Sequence, residues 1–414
     1  MNILIISHMY PNSSNAMNGI FVHKQICALK KLYGDDIKVK VISPVPYTPY
    51  ILSKLFSKYK GYYNIPEYTS IDGIDVYYPR VLMPPKNIGF KYSGNAFYHG
   101  MRKIADKLNE EEKFDLIHAH VALPDGYGAV LLNENYKIPL VITVHGQDIN
   151  YTVGLGKAFE SRVFKTIDAA SAVIFVSSKL KNKCQALYKP MDKFKVINNG
   201  VDTDINLRQD RLNELREEYK GKRIILSTGN LLKPKGHDLT IKAFAKLSSK
   251  YDDIILLIIG KGEEYQNLKD LCKKYNISRK VIFLNQLPHE EVLYYMEICY
   301  MFVLPSWKEG FGIVYIEAMS RGKCVIGCKG EGIEDVVINN VNGVLAEPKD
   351  VNDLEIKMDK LLSNDDVVKK IGDNAKMSVL KEFTWYKSAE KLYKLYLEVL
   401  KYEGMSYKHC TSGN

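Results

Sequence analysis

The chain has 414 residues, 46% hydrophobic and 26% charged, and lacks the long polar tracts of a disordered protein, so two folded domains of about 200 residues each are expected. Its seven cysteines, at 27, 184, 272, 299, 324, 328 and 410, are odd in number and scattered, which excludes a disulfide framework or a paired zinc spacing and points to a reducing cytoplasm. Net charge is +10, and residues 1–200 carry +9 of it, 25 Lys/Arg against 16 Asp/Glu, so the first half is the one expected to face something anionic.

In chain order, the opening segment Met1 to Pro11 is apolar at once but has no basic leader, so a strand and loop are expected rather than a secretion signal. No apolar run approaches the roughly 18 residues of a membrane-spanning helix. Short β-branched runs then alternate with longer amphipathic stretches, the pattern of parallel sheets covered by helices. The first half places strands at Asn2–Ser7, Val39–Ser43, Asp115–His118, Leu140–Val144, Ala172–Val176 and Phe194–Ile197. The turn-rich Asn198-Asn199-Gly200-Val201-Asp202 follows. The second half restarts with Ile224–Thr228, Ile254–Ile259, Val281–Leu284, Met301–Pro305 and Cys324–Gly327, and a helix-period segment runs from Phe383 to Leu400. The fold class is therefore α/β, with two doubly wound parallel-sheet domains of the Rossmann type: 1–203, 204–382, and a C-terminal helix with tail over 383–414. Cys324 and Cys328 flank a strand and are expected to be structural.

The most specific chemical signal is Lys308-Glu309-Gly310-Phe311-Gly312-Ile313-Val314-Tyr315-Ile316-Glu317, directly after a strand. A helix starting near Gly312 would aim its free backbone N–H groups past the strand ends, which suits a diphosphate. Glu317 would then reach a ribose from that helix, and Glu309 would project from the loop toward a sugar. A second loop, Gly229-Asn230-Leu231-Leu232-Lys233-Pro234-Lys235-Gly236, follows the strand Ile224–Thr228. A lysine on such a glycine-bounded loop can neutralise a leaving phosphate. Neither half shows Gly-x-Gly-x-x-Gly after its first strand, which argues against an NAD or FAD enzyme, and no nucleic-acid-binding motif accompanies the basic charge.

Glu-x7-Glu after a strand, in two Rossmann-like halves, resembles glycosyltransferase family 4, the retaining "group 1" enzymes of the GT-B fold. The resemblance covers nearly the whole chain. It includes Asn18-Gly19, Asp115-Leu116-Ile117-His118-Ala119-His120, Thr143-Val144-His145-Gly146, Asn199-Gly200-Val201-Asp202, Gly229-x6-Gly236, Gly260-Lys261-Gly262-Glu263 and the Trp385 helix, and the opening segment is most similar to transferases of teichuronic-acid-type envelope glycans. It implies two domains facing across a cleft and transfer of a hexose from a nucleotide diphosphate sugar, such as a UDP-sugar, to a hydroxyl of a glycan or lipid-linked acceptor, with retention and without a metal or other cofactor.

By the same resemblance, Lys235 contacts the donor diphosphate, Glu309 the sugar and His120 the donor hexose; the backbone at Gly19, Gly310, Phe311, Gly312 and Ile313 approaches the phosphates, Gly262 borders the base, and the last helix packs back on the first domain. Asn230 stands where the family commonly carries an arginine, which shifts phosphate neutralisation onto Lys235. His145, at another strand end, is the candidate for the acceptor side. Asp202-Thr203-Asp204 mimics a metal-binding Asp-x-Asp but has no donor loop around it. The segment Ile51 to Lys60, basic residues amid apolar ones, would dock on an anionic membrane surface. Two other readings, a sugar-nucleotide epimerase and a non-catalytic subunit of the same fold, stay open at this point.

Overall fold

The computed structural model describes residues 1–55, 57–82 and 90–402. It divides into two compact units, the first made of Met1–Asn198 with the chain from Trp385 onward, the second of Asn199–Thr384.

The first unit holds strands β1 (Asn2–Ile6), β2 (Lys38–Ile42), β3 (Val45–Pro46), β4 (Tyr68–Ile71), β5 (Ile74–Tyr77), β6 (Arg80–Val81), β7 (Leu116–His120), β8 (Leu140–Val144), β9 (Ala172–Phe175) and β10 (Phe194–Val196). Its main sheet has the order β10-β9-β8-β7-β1-β2-β5-β4, and β3 pairs separately with β6. All pairs in the main sheet are parallel except β4 with β5. Every residue of β7 and β8 is buried, as expected for inner strands of a sheet covered on both faces. The β4–β5 hairpin, not expected from sequence, closes the edge of the sheet: β5 alternates buried with half-exposed residues, while β4 has no buried residue. His120, expected just beyond a strand, is instead the last residue of β7, because the ladder with β8 continues to its pairing with Thr143.

The second unit holds β11 (Arg223–Thr228), β12 (Ile254–Ile259), β13 (Val281–Phe283), β14 (Met301–Val303), β15 (Cys324–Cys328) and β16 (Val344–Ala346) in one parallel sheet, order β13-β12-β11-β14-β15-β16. Its core packs Ile225, Leu256, Ile258 and Val303 against Phe244, Met358 and Ile371 from the covering helices. Cys324 and Cys328 are buried at the two ends of β15, and neither is in a disulfide.

The helix Trp385–Tyr402 belongs to the first unit. Gln25 donates to Ser388 Oγ at 2.8 Å, Ser388 donates to the Asn198 carbonyl at 2.8 Å, and Tyr393 stacks on Tyr33 at 3.7 Å between centroids. Fully buried Tyr396 is hydrogen-bonded to His118 Nδ1 at 2.6 Å. The basic segment from Ile51 forms two short helices, Tyr50–Leu55 and Ser57–Tyr63, in which Ile51, Lys54 and Lys60 are exposed; Phe56 lies outside the described residues. Among the described residues no helix is long and apolar enough to cross a membrane.

Candidate functional site

In the second unit β11 lies between β12 and β14. The chain winds one way from β11 to β13 and the other way from β14 onward, so the loops after β11 and β14 leave the sheet side by side at its carboxyl edge, where α/β sheets bind ligands. Glycines allow these loops to touch. A Cβ on Gly236 would lie 2.5 Å from the Pro305 carbonyl oxygen, and Trp307 donates its backbone N–H to Pro234 at 3.0 Å. The loops after β11 and β12 are joined in the same way: Gly260 has φ 150, and a Cβ there would come within 1.9 Å of the Gly229 oxygen, while one on Gly262 would come within 2.3 Å of the Leu231 oxygen. Contact between loops is therefore reason enough for glycine at 260 and 262.

This packing brings Lys235 Nζ to 2.5 Å from Glu309 Oε2, with both side chains largely buried. The Glu309 backbone N–H donates to Glu331 Oε2 at 2.7 Å, which fixes the loop from the far side. Gly310 and buried Phe311 lead into Gly312, which has φ 90 and is the N-cap of the helix Ile313–Ser320. No side chain caps that helix; the Tyr315 N–H donates to the Gly312 carbonyl at 3.1 Å, and the amides before it have no side-chain acceptor and suit an external one. The Tyr315 ring lies 2.6 Å from where a Gly312 Cβ would be, so only glycine fits that cap. Glu317 follows on the same helix and pairs through Oε1 with His289 Nε2 at 2.6 Å. Asn230 is exposed at the start of the β11 loop. Lys233 is held by Asp238 at 2.9 Å, a carboxyl kept ionised against the cost of its burial by Lys242 and Lys233. Lys235 is thus the lysine of this loop directed at Glu309. Nearby His237 is buried with Nδ1 3.0 Å from Ser227 Oγ, and burial, then Lys235, lower its pKa to about 4, so it is neutral.

The first unit has its own reversal between β1 and β7, and the loops after β1, β7 and β8 meet there. Gly19, at φ 58, caps the helix Ile20–Tyr33, and a Cβ on it would lie 2.0 Å from the Met9 oxygen. Its glycine is required by the folding of the β1 loop on itself. His120 Nδ1 is 3.0 Å from His145 Nε2, and the His120 ring stacks between those of His118 and His145. Burial lowers the His118 and His145 pKa values to about 3 and that of His120 well below its ordinary value, so the cluster is uncharged at neutral pH. His120 Nε2 is buried without a hydrogen-bond partner.

Beside this cluster stands a pair that the sequence did not reveal. His8, just after β1, has Nδ1 2.5 Å from Asp125 Oδ2, and its backbone N–H donates to Asp125 Oδ1 at 2.7 Å. Asp125 is fully buried, whereas the His8 side chain is 35% exposed. Burial opposes a charge on His8, but the Asp125 carboxylate outweighs it and raises the ring's pKa. Asp148 accepts the Ala122 N–H at 2.6 Å, and burial pushes its carboxyl up to about 6. Among neutral imidazoles, His8 is the ring poised to carry a proton.

The comparisons with known proteins agree with this architecture. Residues 209–378 match the family of glycosyl transferases group 1, and residues 61–205 match glycosyltransferase family 4. An uncharacterised glycosyltransferase of Methanocaldococcus jannaschii is 30% identical over 372 residues, covering 88% of this chain and 99% of its own. The putative teichuronic acid biosynthesis glycosyltransferase TuaC of Bacillus subtilis is 26% identical over 419 residues, covering 97% and 99%. Among solved structures, a sucrose-phosphate synthase from Thermosynechococcus elongatus aligns with TM-score 0.78 at 21% identity, over 97% of this chain and 100% of that one. Anabaena HepE in complex with UDP aligns with TM-score 0.73 at 18% identity, over 96% and 100%. The fold is GT-B, and the chain belongs to the group 1, family 4 glycosyltransferases.

Proposed function

We propose that this glycosyltransferase moves a hexose from a nucleoside diphosphate sugar to a hydroxyl acceptor with retention at the anomeric carbon, in the synthesis of a cell-envelope glycan or glycolipid. The observation that carries the reading is the Lys235–Glu309 pair, 2.5 Å apart at the winding reversal of the second sheet, next to the uncapped start of the helix that carries Glu317. An ammonium has three N–H donors; Lys235 spends one on Glu309 and keeps others for a phosphate. The amides of Gly312 and Ile313 would add uncharged donors, Glu309 would hold sugar hydroxyls, and Glu317 the ribose. In the reaction the acceptor oxygen bonds to the anomeric carbon as the bond from that carbon to the phosphate oxygen breaks, and the departing phosphate takes the hydroxyl proton. The protein's part is to position the reactants and to stabilise the charge that grows on the phosphate, which needs no bound metal.

The envelope role is supported by the end-to-end likeness to TuaC, and the nucleotide by relatives such as HepE, solved with UDP. Exposed Ile51, Lys54 and Lys60 support docking on an anionic membrane from the cytoplasmic side. A thermal-shift panel of UDP- and GDP-sugars tests the donor, since a bound donor stabilises the fold according to its affinity. Nucleotide release on adding acceptor, absent in Glu309→Ala, tests the transfer. Stabilisation by none of the panel, or full turnover in Glu309→Ala, would overturn the reading.

A further inference from the structure

A third group of polar side chains converges in the first unit, on the helix that follows the β1 loop. His23 and Cys27 stand four residues apart on the helix Ile20–Tyr33, so they share one face of it. Asp72 sits in the β4–β5 turn with φ 50, a conformation that aspartate tolerates. The Sγ of Cys27 lies 3.4 Å from His23 Nε2, and Asp72 Oδ2 lies 2.8 Å from that same nitrogen. All three ligand atoms lie within 4.8 Å of one another. A single imidazole nitrogen offers one proton or one lone pair, and an ion held on that lone pair could be shared by all three groups. Ordinary zinc bond lengths at tetrahedral angles put sulfur about 3.6 Å and oxygen about 3.3 Å from the nitrogen. The sulfur is also 3.9 Å from Nδ1 and so lies over the ring face, and a turn of the Cys27 side chain that moves it by about 1 Å or more brings it beside an ion held on the Nε2 lone pair.

The other ring nitrogen has the outer partner that such sites use. Tyr10 Oη is 2.8 Å from His23 Nδ1, and Tyr10 is fully buried. An Nδ1–H donated to that oxygen leaves the Nε2 lone pair free for a metal. We propose that His23, Cys27 and Asp72 form a tetrahedral site for a zinc-type divalent ion, with water as the fourth ligand. Thiolate sulfur together with imidazole nitrogen selects zinc-like ions over magnesium or calcium. The His23 side chain is 3% exposed and that of Asp72 74%, so the ion and its water enter from the Asp72 side. On binding, the Cys27 thiol releases its proton to solvent and the thiolate bonds to the metal. The ion fastens the helix to the rim hairpin and takes no part in sugar transfer.

Cobalt titration of the full-length, chelator-treated protein tests the site. One equivalent should bind and produce a thiolate-to-cobalt charge-transfer band, and one equivalent of zinc should remove it. Cys27→Ser should abolish the band, and Asp72→Asn and Tyr10→Phe should each weaken zinc binding by about 10–100-fold. A wild-type protein without the band, or a band that survives in Cys27→Ser, overturns the proposal, the latter by moving binding to another cysteine. Should Cys27→Ser fail to fold by circular dichroism, Asp72→Asn decides: unchanged zinc affinity overturns the proposal. Donor binding is measured separately, so failure here leaves the transferase reading intact.

Discussion

Replacing Lys235 with methionine keeps much of the side chain's apolar stem and removes its charge, which leaves Glu309, 14% exposed, without the cation 2.5 Å away. At an effective dielectric near 20, two unit charges at that distance attract by about 6–7 kcal/mol. The desolvation cost of each ion cancels in a double-mutant cycle, and water reaching both partly exposed groups screens the attraction, so a coupling of about 2–3 kcal/mol is expected. Glu309→Gln should cost less alone, because the ammonium is 23% exposed and can turn to water, and the double variant should recover most of the loss. A double-mutant cycle by urea denaturation reads the coupling directly. The signal is Trp307, whose backbone bonds the Pro234 carbonyl of the Lys235 loop; Trp385→Phe removes the only other tryptophan. Coupling below about 0.5 kcal/mol, the level of an exposed pair, would refute the claim that the loops preform this contact.

Lys235→Ala should cost about 2–4 kcal/mol of transition-state stabilisation in kcat/KM, the usual loss for one preorganised donor. Lys233→Ala should cost less because Asp238 already holds that ammonium, and Asn230→Arg should tighten donor binding; steady-state kinetics decides all three. For His145 the sign is fixed by a folded pKa of about 3, lowered by burial and then by His8. The unfolded chain takes up its proton near pH 6.5 and the folded one does not, so this ring costs about 2 kcal/mol of stability between pH 6.5 and 5. His145→Asn lacks that cost, and its stability relative to wild type should improve by that amount over the interval; a pH-independent difference would refute the assignment. Gly260→Ala meets both φ 150 and the Gly229 oxygen at 1.9 Å and should lose about 2–4 kcal/mol of stability by denaturant titration.

Local pattern carried most of the fold. Ile254–Ile259 and Leu140–Val144 have the residue bounds their apolar runs indicate, because buried parallel strands leave an uninterrupted signal. The rim hairpin was missed although its Asp72-Gly73 turn is a hairpin signal and β5 alternates, since β4 buries no residue and shows no apolar face. Val344–Ala346 was missed because its apolar run ends with the strand, whereas the equally short Val281–Phe283 and Met301–Val303 sit in runs that go on to Leu284 and Leu304. Glycine patterns located the candidate loops, and the resemblance put Lys235 and Glu309 at one donor, but their direct pairing across 74 positions, and that of His8 with Asp125 across 117, had no local signal. Nothing local in either segment names its partner. The spacing of His23 and Cys27 was a legible hint, but Asp72 joins them only once β5 has paired with β2.

The helix Trp385–Tyr402 has a consequence for the order in which the chain folds during synthesis. The second unit is one continuous stretch, Asn199–Thr384, and can close as soon as it leaves the ribosome. The first unit cannot: its β7 residue His118 awaits the hydroxyl of Tyr396, made 278 residues later. Domains generally fold in order of emergence, but here the half made first is completed last. For the time needed to make the second unit, the nascent first unit leaves uncovered the surface that Trp385, Leu392, Tyr396 and Leu400 later bury. That interval, rather than the stability of the finished protein, is when a chaperone has most to bind.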